Sequence, residues 1–197
     1  MGIQECEIAD VRLITSTQFI DARGLFCEIW SDRVFRSEVE NVTFVQDNQS
    51  ISRFKGTVRG LHFQRPPFAQ AKLIRVVRGS ILDVDVDIRR GSPSYGRHLA
   101  VTLDAASGTQ LWVPTGFLYG FCTLEDSTEV CYKVSQYYKP EYDTGVLWND
   151  PALKIEWPVS PDRVILSEKD QRHPPLSELP DFFALWSRPG GPGGTYS

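Results

Sequence analysis

The stretch SILDVDVDIRRGSP, Ser80 to Pro93, alternates Asp83, Asp85 and Asp87 with Val84, Val86 and Ile88. An extended chain points successive side chains to opposite faces, so the three carboxylates share one face and the aliphatic residues the other. The Gly-Ser-Pro that follows is turn chemistry and closes the strand. Working outward, KLIRVVRG (Lys72 to Gly79) lies before it, and HLAVTLD (His98 to Asp104), TQLWVPTG (Thr109 to Gly116) and STEVCYKVSQYY (Ser127 to Tyr138) lie after it. All four are rich in β-branched and aromatic residues. From Phe44 to Tyr138 the chain therefore predicts many short strands separated by turns, an all-β sandwich or barrel.

Helical signals are few. WSDRVFRSEVE (Trp30 to Glu40) predicts a short helix capped by Ser31 or Asp32, and LSELPDFFALW (Leu176 to Trp186) predicts another. The tail, residues 187–197, is Pro/Gly-rich and predicts disorder, which leaves residues 1–186 as one domain. No internal repeat suggests a solenoid.

Over 197 residues the net charge is -4, which argues against a general nucleic-acid binder while leaving room for a few local arginines to hold an anion. No run approaches the length of a membrane span, and MGIQECEIAD has neither the basic and apolar regions of a signal peptide nor a myristoylation pattern. A soluble cytoplasmic protein is expected. Cys6, Cys27, Cys122 and Cys131 form no C-x-x-C pair and read as small hydrophobic residues.

Chemistry concentrates in RGLHFQRPPFAQAKL, Arg59 to Leu73. A lone strand histidine such as His62 is more often a structural hydrogen-bonding residue than a base, but Arg59 and Lys72 add positive charge where an anion or oxyanion could sit. Gln64 and Gln70 add neutral donors. A metal centre needs several converging ligands, and this stretch offers only His62. The later motif PTGFLYGF has Tyr119 in place of a histidine, and neither His98 nor His173 is spaced as a partner, so no metal is expected. Taken singly, Tyr132, Tyr137 and Tyr138 read as core aromatics and Asp170 as a turn or cap residue.

Together these motifs resemble one family. Asp21 to Glu28 (DARGLFCE), FVQDNQSIS, VRGLHFQ, QAKLIRVVRGSILDVDVDIRRGSPSYG, LWVPTGFLYGF, EVCYKVSQYYKP, LWNDPALKIEWP and LSEKD have the order and spacing of the dTDP-4-dehydrorhamnose 3,5-epimerases, RmlC-type enzymes of the cupin superfamily. The resemblance spans about residues 5–180. It implies a cupin-type jelly roll with short peripheral helices and a cofactor-independent isomerase acting on a dTDP-4-keto-6-deoxyhexose. It makes His62 the general base oriented by Asp170, Tyr132 the acid, and Lys72 the group that holds the enolate oxygen. Arg23, Gln46, Asn48 and Arg59 would contact the nucleotide diphosphate, Phe26 would stack on the base, and Glu28 would touch base or ribose. Asp47, Asp83, Tyr119, Tyr138, Asp143 and Lys169 complete the implied substrate site. The Arg23 to Glu28 segment reaches a neighbouring subunit in the family, implying a homodimer.

The chain departs from the pattern at Tyr119, where the family carries histidine, and at Asp143, where glutamate is usual. Epimerisation at C3 alone or C5 alone, a 3,4-ketoisomerisation, and a silent nucleotide-sugar binding cupin remain as alternatives. A metal-dependent cupin oxygenase is the least favoured.

Overall fold

The computed structural model describes residues 1–184; the tail assigned above to disorder lies outside them. In chain order the elements are β1 (Gly2–Glu5), β2 (Arg12–Thr15), β3 (Gln18–Asp21), β4 (Gly24–Cys27), helix α1 (Asp32–Glu38), β5 (Gln46–Ser52), β6 (Val58–Gln64), β7 (Lys72–Arg78) and β8 (Ser80–Asp87). They continue with β9 (Arg89–Arg90), β10 (His98–Asp104), β11 (Thr109–Val113), β12 (Phe117–Thr123), β13 (Thr128–Val134), β14 (Asp143–Gly145) and β15 (Phe183–Ala184). A six-stranded sheet, order β1-β2-β11-β7-β13-β5, faces a five-stranded sheet, order β10-β8-β12-β6-β14. Their pairings are antiparallel, the architecture of a cupin-type jelly roll. β3 and β4 form a separate hairpin, and β9 pairs in parallel with β15.

Packing between the sheets follows the period of two. Ile74, Val76, Leu111, Val113 and Val130 from one sheet meet Ile81, Leu103, Phe117 and Phe121 from the other. Ile81 shares its face of β8 with Asp83, Asp85 and Asp87, so the carboxylate face of the opening stretch points into the barrel. The aliphatic face, Val84 and Val86, points outward and is covered with Leu61, Leu118 and Val146 by Leu153 and Leu179 of the C-terminal segment. Alternation alone identifies two faces; here both are buried, and the polar one is the interior.

Helix α1 starts where expected, with Ser31 extended at the cap position but making no side-chain capping bond. It lays Phe35 and Val39 over Ile14, Leu73 and Trp112 on the outer face of the six-stranded sheet. Over the described part of its stretch, residues 176–184, the second expected helix does not form. Pro180 interrupts the segment, and only a 3-10 turn at Leu176–Glu178 and the two-residue β15 appear. The short strands β1 to β4 carry too weak an alternation to be read from sequence. Among the described residues no helix is long and apolar enough to cross a membrane.

Candidate active site

The site sits in the barrel interior and depends on an irregularity in β6. Arg59 and His62 are three residues apart, so a regular strand would turn them to opposite faces. Instead Tyr119 of β12 pairs with His62 while Phe121 pairs with Arg59, three residues of β6 against two steps of β12. This bulge turns both side chains into one cavity. Gly60 sits at its centre with φ +142°, and a Cβ there would lie 2.5 Å from the Cα of Gly120, so the close strand approach requires glycine at that place.

The cavity, about 460 Å³, is lined by Arg59, His62, Lys72, Tyr119, Tyr132 and Asp170 among others. His62 comes from β6 and Asp170 from a 3-10 turn 108 residues later, yet His62 Nε2 and Asp170 Oδ1 are 2.6 Å apart. Asp170 is nearly fully buried and His62 about a quarter exposed. Burial alone would push the Asp170 carboxyl up; the bond from His62, with those from Ser167 and the Gly60 N–H, outweighs it and holds Asp170 below its ordinary value. An ionised carboxylate on Nε2 fixes that nitrogen as the N–H and leaves Nδ1 as the basic one, the division of labour of a His-Asp pair.

Lys72 begins β7 with its ammonium 4.5 Å from the Tyr119 ring centre and 5.9 Å from that of Tyr132. Burial lowers it from the ordinary lysine range to about 8, against the pull of Asp85, Asp143 and Asp83. A lysine so placed is charged at neutral pH and still able to give up a proton. Burial also raises the Tyr132 and Tyr119 hydroxyls, Tyr119 strongly and with Asp83 and Asp85 adding to it, so both stay protonated and able to donate. Asp83 and Asp85 are fully buried beneath them, and their carboxylate oxygens have no hydrogen-bond partner among the described residues.

At the cavity mouth the Tyr138 hydroxyl donates to Asp143 Oδ2 at 2.9 Å, and Lys169 pairs with the same oxygen. Gln46 Nε2 donates to Asn48 Oδ1 at 2.7 Å, while Gln46 Oε1 accepts the Tyr138 N–H. The Arg59 Nε–H donates to the Ser52 hydroxyl.

Other expected residues lie elsewhere. Asp47 falls on the opposite face of β5 and pairs with Lys133 at 2.9 Å, outside the barrel. Arg23 is held by Asp21, and with Phe26 and Glu28 it lies on or beside the β3–β4 hairpin, away from the His62 cavity of the same chain. Gln64 and Gln70 are structural: they donate to the carbonyls of Phe68 and Tyr137, and of Gln136. His98 is on the far edge strand β10, whereas His173, which chain spacing does not mark as a partner, is brought beside His62 and Asp170 by the fold. Its ring packs 5.5 Å from that of His62, with Nε2 4.0 Å from Asp170 Oδ1. Burial, with His62 and Lys169 adding to it, lowers His173 below the ordinary histidine range. The only sequence signal for it was the i, i+3 relation to Asp170.

Comparison with known proteins places this geometry. Residues 5–178 match the family model described as dTDP-4-dehydrorhamnose 3,5-epimerase. The enzyme of that name from Sinorhizobium fredii is 49% identical over 183 residues, covering 93% of each chain. The crystal structure of the Bacillus anthracis enzyme with TDP and pyrophosphate bound is 46% identical, with a TM-score of 0.86 over 89% of this chain and 99% of that one. The Legionella pneumophila enzyme in complex with dTDP-4-keto-L-rhamnose is 34% identical, with a TM-score of 0.89 over 95% of this chain and 99% of that one. With the jelly roll and the cavity built on VRGLHFQ and LSEKD, these likenesses mean that the chain belongs to the dTDP-4-dehydrorhamnose 3,5-epimerase family of isomerases.

Proposed function

We propose that this protein inverts C3 and C5 of dTDP-4-dehydro-6-deoxyglucose without a cofactor. The observation that carries the reading is the buried-carboxylate pair, His62 Nε2 to Asp170 Oδ1 at 2.6 Å, opening on the cavity that also holds Lys72 and Tyr132. The 4-keto group acidifies the hydrogens on both neighbouring carbons. Nδ1 of His62 takes one of them, and the electron pair left behind moves into an enolate whose negative oxygen is met by the Lys72 ammonium. Tyr132 then gives its phenolic proton to the opposite face of the carbon, and solvent restores both groups. Arg59, Gln46 and Asn48 receive the diphosphate; the forked guanidinium suits its oxygens. Asp83, Tyr119, Tyr138, Asp143 and Lys169 bound the sugar. Asp47, turned outward, has no part in it.

The functional unit is a homodimer of a single domain, residues 1–186, and it is cytoplasmic. The β3–β4 hairpin exposes Phe19, Ile20, Leu25 and Phe26, at 61%, 77%, 52% and 70%, an apolar surface that a second copy covers while Arg23, Phe26 and Glu28 reach its nucleotide site. The four cysteines are unpaired, which fits a reducing compartment.

A second reading is favoured by Tyr119. It stands opposite His62 in the strand pairing, and its bulk and neutral hydroxyl could restrict inversion to one carbon. One experiment separates the two: incubation with dTDP-4-keto-6-deoxyglucose in heavy water, with deuterium located by NMR. Label at C3 and C5 supports the 3,5-epimerase. Label at one carbon, with a second gained in Tyr119→His, assigns a mono-epimerase. No label at either carbon refutes both.

A further inference from the structure

His173 presents an unexplained atom. Its side chain is only 9% exposed, and the buried Nε2 has no hydrogen-bond partner among the described residues. It points toward Asp170 Oδ1, and a ligand atom each from His62, Asp170 and His173 lie within 4.8 Å of one another. The space is kept open by Gly145, where a Cβ would come within 2.9 Å of His173 Nε2. Buried ring nitrogens are normally hydrogen-bonded, so an unpartnered Nε2 facing a carboxylate and a second imidazole calls for a ligand.

We propose that His62, Asp170 and His173 form an inhibitory site for a borderline transition-metal dication, with Zn²⁺ as the natural probe. Zinc bonds of about 2.0–2.2 Å to nitrogen and oxygen set tetrahedral donors roughly 3.3 Å apart. The 2.6 Å His62–Asp170 separation must open, the 4.0 Å Asp170–His173 separation must close, and the two histidine nitrogens, within 4.8 Å of each other, must close further. Side-chain rotation about χ1 and χ2 is the motion that brings the three donors together. A water from the cavity takes the fourth position. Two imidazoles and one carboxylate select zinc over magnesium or calcium, which prefer all-oxygen sites.

Atoms and charge balance without a redox step. The metal takes the lone pair at His62 Nε2, and the ring proton that had bonded Asp170 moves to Nδ1. Nδ1 is the nitrogen that accepts the substrate proton in the reaction proposed above, so metal binding switches off the base. The dyad is thus poised between a proton, which leaves it active, and a dication, which silences it.

The test uses the full chain, freed of metal with chelator, and calorimetric titration with Zn²⁺, which reads binding without turnover. Wild type should bind one Zn²⁺ per chain, lose heavy-water exchange in proportion, and recover it with EDTA; Mg²⁺ should do neither. His173→Gln should keep metal-free exchange within a few-fold and bind Zn²⁺ at least tenfold more weakly. Co²⁺ bound to wild type should show the intense visible bands of a tetrahedral site, a reading that survives should the variant fold poorly. No stoichiometric Zn²⁺ binding by wild type, or equal affinity in a folded His173→Gln, overturns the proposal. If zinc binds as described but the chain exchanges no deuterium into the sugar even when metal-free, the metal site stands and the assigned reaction falls.

Discussion

Asp85→Asn should flatten the pH dependence of stability, and the size of the effect follows from counting protons. Asp83 and Asp85 lie side by side on the inner face of β8, both fully buried. Burial drives both carboxyls up, Asp83 to about 8 and Asp85 well above the ordinary range, where the charge of Asp83 adds to it. One ammonium, Lys72, can balance one carboxylate, so the folded protein keeps at least one proton on the pair that the unfolded chain releases near pH 3.9. A carboxyl raised in the folded state lends stability in acid and loses it as pH climbs from the unfolded value toward the folded one. Each retained proton contributes about 1.4 kcal/mol per pH unit of slope. Asn is nearly isosteric and removes one retained proton, so between pH 5 and 7 the variant should lose roughly 3 kcal/mol less than wild type. Lys72 stays charged in both states across that window, while Asp143 and Lys169 are common to both proteins and cancel in the difference. The tyrosines Tyr119 and Tyr132, and the Cys6 thiol that burial raises, remain neutral there. Urea unfolding at pH 5, 6 and 7 measures the slope. Parallel lines for the two proteins would refute the retained buried proton.

Three further outcomes follow from the geometry. Asp170→Asn keeps the shape but loses the charge that sets the His62 tautomer, so kcat for deuterium wash-in should fall by about 10²–10⁴ with KM little changed. Gly60→Ala must place a Cβ 2.5 Å from Gly120 Cα at φ +142°, and should cost several kcal/mol, on the order of 3, in thermal or urea unfolding. Mixing His62→Ala with Arg23→Ala protomers, each nearly inactive alone, should restore one intact site per mixed dimer; no recovery after refolding together would separate the hairpin from the neighbouring site.

The strands were legible because Val, Ile, Thr and aromatic residues recur between turn residues, and VRGLHFQ and LSEKD were legible as motifs. The bulge that brings Arg59 and His62 to one face was not, since period-two counting separates them. Nor was the direction of the Asp83 face: an alternating strand is read as apolar-in, and only the covering of Val84 and Val86 by the C-terminal segment reverses it. His173 is not legible from spacing along the chain, because its neighbour His62 is 111 positions earlier and meets it only through the fold. The missing C-terminal helix shows a run of helix formers losing to one proline and to docking against β9.

The dyad also ties catalysis to the completeness of the chain. The strands of the two sheets end with β14 at Gly145, but Asp170 arrives on a later segment that wraps back through the Thr57–Ile165 bridge, the Leu147 N–H to Pro174 carbonyl bond, and the Leu176 N–H on Asp150. A ribosome-bound chain with every strand of the two sheets through β14 synthesised would still lack the carboxylate that meets His62. On the function proposed above, a protease cut in this wrap that frees Asp170 should silence proton abstraction while the strand pairings of the two sheets remain.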